Sequence, residues 1–576
     1  MKKSIRGILL LAACTVFFAG CARSKGSREA FTENTLYVAG DGSVSWASVE
    51  SFGEGDYKEE ELKAFAGERI SQFNQSQGEE PAFENEKGAE KLPVALPKVT
   101  GPLPNTDESY PFNAANRQQK PFDLAKYGYV EEEYLISGYA NVYEYHDVGL
   151  YPKIRCQDGS YCTRILVRRP RDPHKQSDFA ILEIFNYAGA ERAFAGWGYC
   201  AEYILSRGDV WVGITIRQNA VDNLKKFDAV RYAALGFPNP VPLDKRKQGR
   251  TLTGEMETKE SGEFESGLAY DAMSQAALLK SKTLQNPLYG SSISGKAARY
   301  VIGMGASGCD LSLYAAALQP FATIDGKNPC FDGFHIHMTG YPGCISNGET
   351  RFEANDDRCK IMTNVPLVWT QTMGDMRGGG IHPSYSYMYR WPDSDLPGRQ
   401  HRQYEIAGAA LGMDWDMAVC PCAEDLQKYN GEGKEFPLER HFGEIPFHYV
   451  IRAVLDHLKK WIRYGIPAPK SAYIEMEGEY PDADFVLDEH GNPKGGVRSP
   501  YVDVPVCTYT WKDEPGAVRN IITPFSPEKL KSLYPTHDVY LRKVVKSVME
   551  MIQNGFLLPE DASEIIMEAM DAAVPE

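Results

Sequence analysis

The chain has 576 residues, 43% of them hydrophobic and 24% charged, the proportions of an ordinary globular protein with ample length for a large core. The formal net charge is −16 and no long basic run follows the first residues, which excludes the clustered cationic surface that nucleic-acid binding requires. The length suits either several domains or one large α/β domain.

Lys2, Lys3 and Arg6 precede ILLLAACTVFFA, an apolar run too short to span a membrane as a stable helix, so residues 1–20 read as an export signal. Phe18-Ala19-Gly20-Cys21 resembles the bacterial lipobox, whose cysteine is lipidated and becomes the first mature residue. The expectation is an exported protein. Lipid on Cys21 would hold it on the outer face of the bacterial cytoplasmic membrane, with residues 21–34 as a polar tether. Of 12 cysteines, Cys14 leaves with the signal and Cys21 carries lipid. Cys156 and Cys162 bracket QDGSY, read as a turn, and are candidates for a local bridge, whereas Cys420 and Cys422 are too close for an easy mutual bond. No cysteine or histidine spacing matches a zinc site, and no metal or cofactor is expected.

Residues 35–77 read as a small module. TLYVAGDGSVSWASVESF alternates about Gly40-Asp41-Gly42 like a hairpin, and DYKEEELKAFAGERISQFNQ carries Leu62, Phe65, Ile70 and Phe73 on one helical face. Residues 78–121, which include LPVALPKVTGPLP, have the composition of an extended linker. From 122 to 576 short apolar runs (RILVRRP, FAILEIFN, VWVGITI, RYVIGMG, GFHIHMT, VPLVWTQT, RQYEIAG) alternate with helical patterns such as AFAGWGYCAEYILSRG. That alternation predicts one α/β domain built on a mostly parallel sheet covered by helices, with its site at the carboxyl ends of the strands. The tail from Lys529 to Met570 is amphipathic and predicts helices packed on the core.

Several stretches in this order resemble the α/β-hydrolase-domain family of large bacterial serine hydrolases. They include YCTRILVRRPRDP (161–173), ILEIFN (181–186), LAYDAMSQ (268–275), FDGFHIH (331–337), RQYEIAGAA (402–410), HYVIRAVLDHLKKWIRYGIPAP (448–469) and GNPKGGVRSPYVDVPV (491–506). The resemblance implies an α/β-hydrolase-type sheet over nearly everything after residue 125, and a nucleophile in a G-x-S-Q-S-like elbow after a central strand. Here that elbow reads Gly303-Met304-Gly305-Ala306-Ser307-Gly308, with Gly305 on the serine. The acidic position falls on Met373 or, by a small shift, on Asp375. The family's E-x-A-G-x-x-H segment ends on Leu411 instead of histidine.

Acyl transfer needs a nucleophile and a base, and neither glycine nor leucine supplies one. The resemblance therefore implies an inert elbow with a pocket beside Gly305, lined by Asn186, Gly189, Met304, Ala306 and Leu411, for a small neutral or lipid-like ligand or a partner-protein loop. The loop from Asn186 to Gly189 is the one that in this family donates a backbone N–H to the oxyanion. A register shifted by two makes Ser307 the nucleophile, with Asp375 as orienting acid and His382, or failing it His401, as base; otherwise Ser307 is a first-turn helix serine. His335 and His337 share one face of a strand, and no third metal ligand accompanies them.

Overall fold

The computed structural model describes residues 35–38, 44–47, 92–145, 152–187, 190–246, 249–250, 256–257, 262–290, 295–306, 311–312, 314–324, 326–337, 363–376, 390–409, 419–435, 444–478, 483–514 and 517–575. The chain divides into two units, Met1–Ala89 and Glu90–Glu576. In the first, Thr35–Val38 pairs antiparallel with Val44–Ala47, with Val38 opposite Val44; the Gly40-Asp41-Gly42 turn expected between them lies outside the described residues. The helix expected after it, and Cys21, lie outside the described residues.

The second unit is organised by nine strands, β1 (Lys98–Thr100), β2 (Tyr129–Glu144), β3 (Lys153–Pro170), β4 (Phe179–Ile184), β5 (Val210–Ile214), β6 (Tyr300–Ala306), β7 (Gly333–His337), β8 (Leu367–Thr372) and β9 (His401–Ile406). They lie in the order β9-β8-β7-β6-β4-β5-β3-β2-β1. Strands β4 to β9 run parallel, and β3, β2 and β1 continue the sheet antiparallel. FAILEI of β4 and VWVGI of β5 are buried at every position, the pattern of strands covered on both faces. Helix α1 (Tyr199–Arg207), the short helix α2 (Met373–Met376), α3 (His448–Tyr464), α4 (His537–Gln553) and α5 (Ala562–Asp571) follow in chain order.

The sheet separates two apolar clusters. Ile181, Ile302, Met304 and Val368 meet α1, α3 and the C-terminal helices on one face, while Leu182, Val301, Phe334, Leu367 and Trp369 pack on the other. Helix α3 buries Val450, Ile451, Val454, Leu455, Leu458 and Trp461, each large aliphatic side chain contributing roughly 1.5–3 kcal/mol. Helix α1 stops at Gly208, whose φ of 70° and whose close approach to the Lys175 carbonyl (2.2 Å from an added Cβ) admit only glycine. Among the described residues no helix is long and apolar enough to cross a membrane.

Two expectations change. The stretch read as linker is part of the second unit from residue 90 onward. Lys98–Thr100 forms the edge strand, the Leu103 N–H donates to the Glu133 carbonyl at 2.8 Å, and Phe112 to Ala115 are buried. Pro-rich composition marks extended chain, and it does not distinguish a solvated linker from an extended segment laid on a sheet. The turn expected between Cys156 and Cys162 is a bulge inside β3. Asp158 takes φ 58° and the pairing with β2 slips between Ala140 and Val142. Six residues of one strand span about 20 Å, so these thiols cannot bridge; both are free, as are Cys420 and Cys422.

Candidate functional site

From β4 the chain crosses to β5 on one side and later returns to β6 on the other, so the carboxyl ends of β4 and β6 flank a topological switch point, where open α/β sheets form their ligand crevices. Strand β6 is central, as the elbow requires. Gly303 is fixed by packing: an added Cβ would lie 2.7 Å from the Phe334 ring. Gly305 is different. It pairs with Ile336 in regular register, and it is absent from the glycines with positive φ. A Cβ built on it would meet Leu311 Cδ2 at 3.4 Å and Ile184 Cβ at 4.0 Å. Its side-chain position thus faces the apolar core beneath the strand end, without the strained backbone of a nucleophile elbow. Met304 and Ala306, on the opposite face, are also buried.

After β4, Asn186–Tyr187, the start of the segment expected to offer an oxyanion N–H, pairs antiparallel with Glu191–Arg192 at the switch point. Ser307, Gly189, His382 and Leu411 lie outside the described residues. A cavity among the described residues is lined by Glu477, Asp484, Phe485, Leu487 and Thr510, and none of Asn186, Met304, Gly305 or Ala306 takes part in it.

The acidic position is well defined. Strand β8 ends at Thr372 and α2 follows, burying Met373 and Asp375. Asp375 Oδ2 accepts the Thr372 N–H at 2.8 Å and the Thr372 hydroxyl at 2.9 Å. Burial outweighs these bonds and pushes the carboxyl up to about 7. The Gly374 N–H donates to the Ala409 carbonyl at 3.2 Å, stitching α2 to the segment after β9, where the family's base position follows two residues later.

His401 is brought to the wrong place for a base. It opens β9 opposite Leu367, at the amino end of the parallel strands, with the whole of β9 between it and the carboxyl ends. His335 and His337 share the Thr370 hydroxyl, through His335 Nε2 at 2.9 Å and His337 Nδ1 at 2.8 Å. Burial lowers His335 to about 3 and holds His337 well below its usual range, so both rings are neutral. No group of three or more metal-ligating side chains occurs among the described residues.

One acidic residue beside the switch point escaped the sequence reading. Glu183 on β4 is buried and accepts the Trp197 N–H at 2.8 Å and the Trp211 indole N–H at 2.7 Å. Burial raises it to about 7 despite those bonds. The Arg168 guanidinium lies 4.0 Å from the Trp197 ring centroid and 4.4 Å from that of Trp211. The available signal was a lone glutamate inside FAILEIF, an otherwise apolar strand.

Residues 99–567 match a family model described as an alpha/beta hydrolase domain. No curated protein matches the chain. Solved structures similar to it include a methylesterase (11% identity, 62% of this chain and 63% of that one, TM-score 0.24). They also include a glucuronoyl esterase from Solibacter usitatus (10%, 66% and 94%, TM-score 0.25) and a thermophilic esterase from Thermogutta terrifontis (11%, 43% and 80%, TM-score 0.24). At such identities and scores these likenesses carry no argument about chemistry.

Proposed function

The chain belongs to the alpha/beta hydrolase domain family, and from that premise we propose that it is a hydrolase-fold binding protein whose acyl-transfer machinery has been lost. The observation that carries this reading is Gly305. The family's serine position has no side-chain oxygen, lies in unstrained extended backbone, and faces Leu311 and Ile184. Strain at a nucleophile persists only while function demands it, so a relaxed strand at that position fits loss of the reaction. Leu411 at the family's base position supports the same reading from an independent segment. The ligand class is a small neutral or lipid-like molecule, or a loop of a partner protein, received at the carboxyl ends of the strands. The export signal and Cys21 support a lipid-anchored protein on the outer face of the cytoplasmic membrane.

A second reading has its own observation. Strand β6 is extended through Ala306, the last described residue before Ser307 in the sequence, and Asp375 is buried after β8. In that reading the protein is an exported carboxylic-ester hydrolase using Ser307, Asp375 and His382. Treating the purified protein with a fluorophosphonate probe and mapping adducts by mass spectrometry separates the two. The binding-protein reading expects no labelled serine. Labelling at Ser307, abolished in Ser307→Ala and weakened in His382→Ala, replaces it with the esterase.

A further inference from the structure

Strands β8 and β9 carry, on one face, a row of polar side chains that the sheet leaves unsatisfied. Trp369 lies opposite Gln403, Gln371 opposite Glu405, and Leu367 opposite His401, so Trp369, Gln371, His401, Gln403 and Glu405 share that face. All five are more than nine-tenths buried. The Gln403 amide N–H donates to Gln371 Oε1 at 3.1 Å. Beyond that bond, the Trp369 indole N–H, Gln371 Nε2, Gln403 Oε1 and both ring nitrogens of His401 have no hydrogen-bond partner among the described residues. An amide pair joined by one hydrogen bond always leaves one free carbonyl and one free N–H, whichever way each amide is turned, so this count does not depend on amide orientation.

Buried polar groups are normally paired, and five unpaired atoms in four side chains on one sheet face depart sharply from that rule. The row has donors and acceptors but no available charge. Burial lowers His401 to about 4, which leaves its ring neutral with one donor and one acceptor. The Glu405 carboxylate is taken by a two-pronged contact from Arg390, at 2.7 and 2.6 Å, and by the Ile474 N–H at 2.7 Å. A partner for this row must itself be neutral and must both donate and accept at closely spaced points. A hydroxyl does both from one atom, and a pyranose presents several in a row.

We infer that this face of β8 and β9 is a binding site for a neutral, polyhydroxylated ligand, a mono- or oligosaccharide, held by Trp369, Gln371, His401 and Gln403. The site lies along the strand faces and is independent of whether acyl transfer occurs at their carboxyl ends.

The test uses the mature protein with glucose, galactose, xylose and cellobiose at millimolar concentrations, read by thermal shift and saturation-transfer NMR. At least one sugar is expected to raise the melting temperature saturably. In the double variant Gln371→Met/Gln403→Met, which keeps side-chain length while removing both amides, affinity is expected to fall about tenfold or more. The variant's melting temperature without sugar is expected to match or exceed that of the parent, because atoms without partners are being removed. Trp369→Phe, which preserves ring packing and deletes only the N–H, is expected to weaken the same sugar. The inference is overturned if no sugar shifts the parent, or if the double variant binds as tightly as the parent. It is overturned equally if triglycine binds in place of sugars, or if the double variant melts well below the parent without sugar, since the amides then already have partners.

Discussion

The two flanks of the sheet solve the same problem differently. On the antiparallel flank, three consecutive glutamates of β2 face arginines of β3 and beyond. Glu131 meets Arg168 at 2.7 Å and Glu132 meets Arg169 at 3.0 Å. Glu133 meets Arg164 at 2.7 Å and Arg231 at 2.5 Å. Arg164, fully buried, also reaches Glu191 at 2.6 Å and the Thr215 hydroxyl at 3.1 Å. On the parallel flank Glu405 pairs with Arg390 and Arg402 with Asp395, but other polar groups are buried without ionic partners: burial raises the Asp375 carboxyl to about 7 and keeps the paired histidines neutral, and the row on β8 and β9 is left open. The network around Arg164 is closed, although Arg168 Nη1 beside it has no partner among the described residues, whereas the open row retains capacity for something added. The candidate chemistry accordingly lies at the parallel end.

The comparison breaks most readily at Arg164. Replacing it with methionine takes from the buried Glu133 and Glu191 carboxylates the cation they share, leaving Glu133 with Arg231, and removal of one partner from a buried ionic network typically destabilises by about 3–5 kcal/mol. Urea denaturation should show a loss of that size for Arg164→Met. A loss under about 1 kcal/mol would mean the network is solvated and the contrast between flanks is wrong.

Asp375 sharpens the other side. Its folded pKa of about 7 lies above the ordinary carboxylate value, so it opposes folding rather than supporting it. Below pH 4 both states are protonated and the penalty is absent. It grows as pH rises toward 7, because only the unfolded chain then loses the proton, and it is constant above. Asparagine can accept both Thr372 bonds without that penalty. Asp375→Asn should therefore be about as stable as the parent near pH 4 and more stable at pH 8, by about 2–4 kcal/mol. Equal stability at both pH values would mean that the carboxylate is ionised and has a cationic partner, as on the antiparallel flank.

The same contrast explains what could be read from the chain. FAILEI, YVIGMGA and LVWTQT announce parallel strands because burial on both faces leaves apolar runs. Strand β2 was not legible: YVEEEYL looks like solvated chain until its register against the arginines of β3 is known, and register is a tertiary fact. The row on β8 and β9 was hidden for the converse reason. The polar residues that close LVWTQT and fill HRQYEI suggest contact with solvent, yet every residue of both strands is buried. That Asp375 stands just past the end of β8 was legible because it follows an apolar strand closely. The relaxed backbone at Gly305 was not, because glycine is compatible with both an elbow and a strand.

Gly305 gives the smallest effect and the most direct probe of the proposed loss of function. A serine there would place its Cβ 3.4 Å from Leu311, an ordinary contact, so Gly305→Ser should fold with stability within about 1 kcal/mol of the parent. Its hydroxyl would nonetheless lie against Leu311 and Ile184, with leucine at the family's base position, so restoring the residue should not restore the reaction. The variant should remain unlabelled by the fluorophosphonate probe, and so should Gly305→Ser/Leu411→His, because the serine faces the core rather than a base at the strand end. Labelling of the double variant but not of the single one would mean that the backbone at Gly305 turns into an elbow when a serine occupies it. The loss would then reside in two side chains alone, and the unstrained strand would be a consequence of the glycine rather than a sign of a retired site.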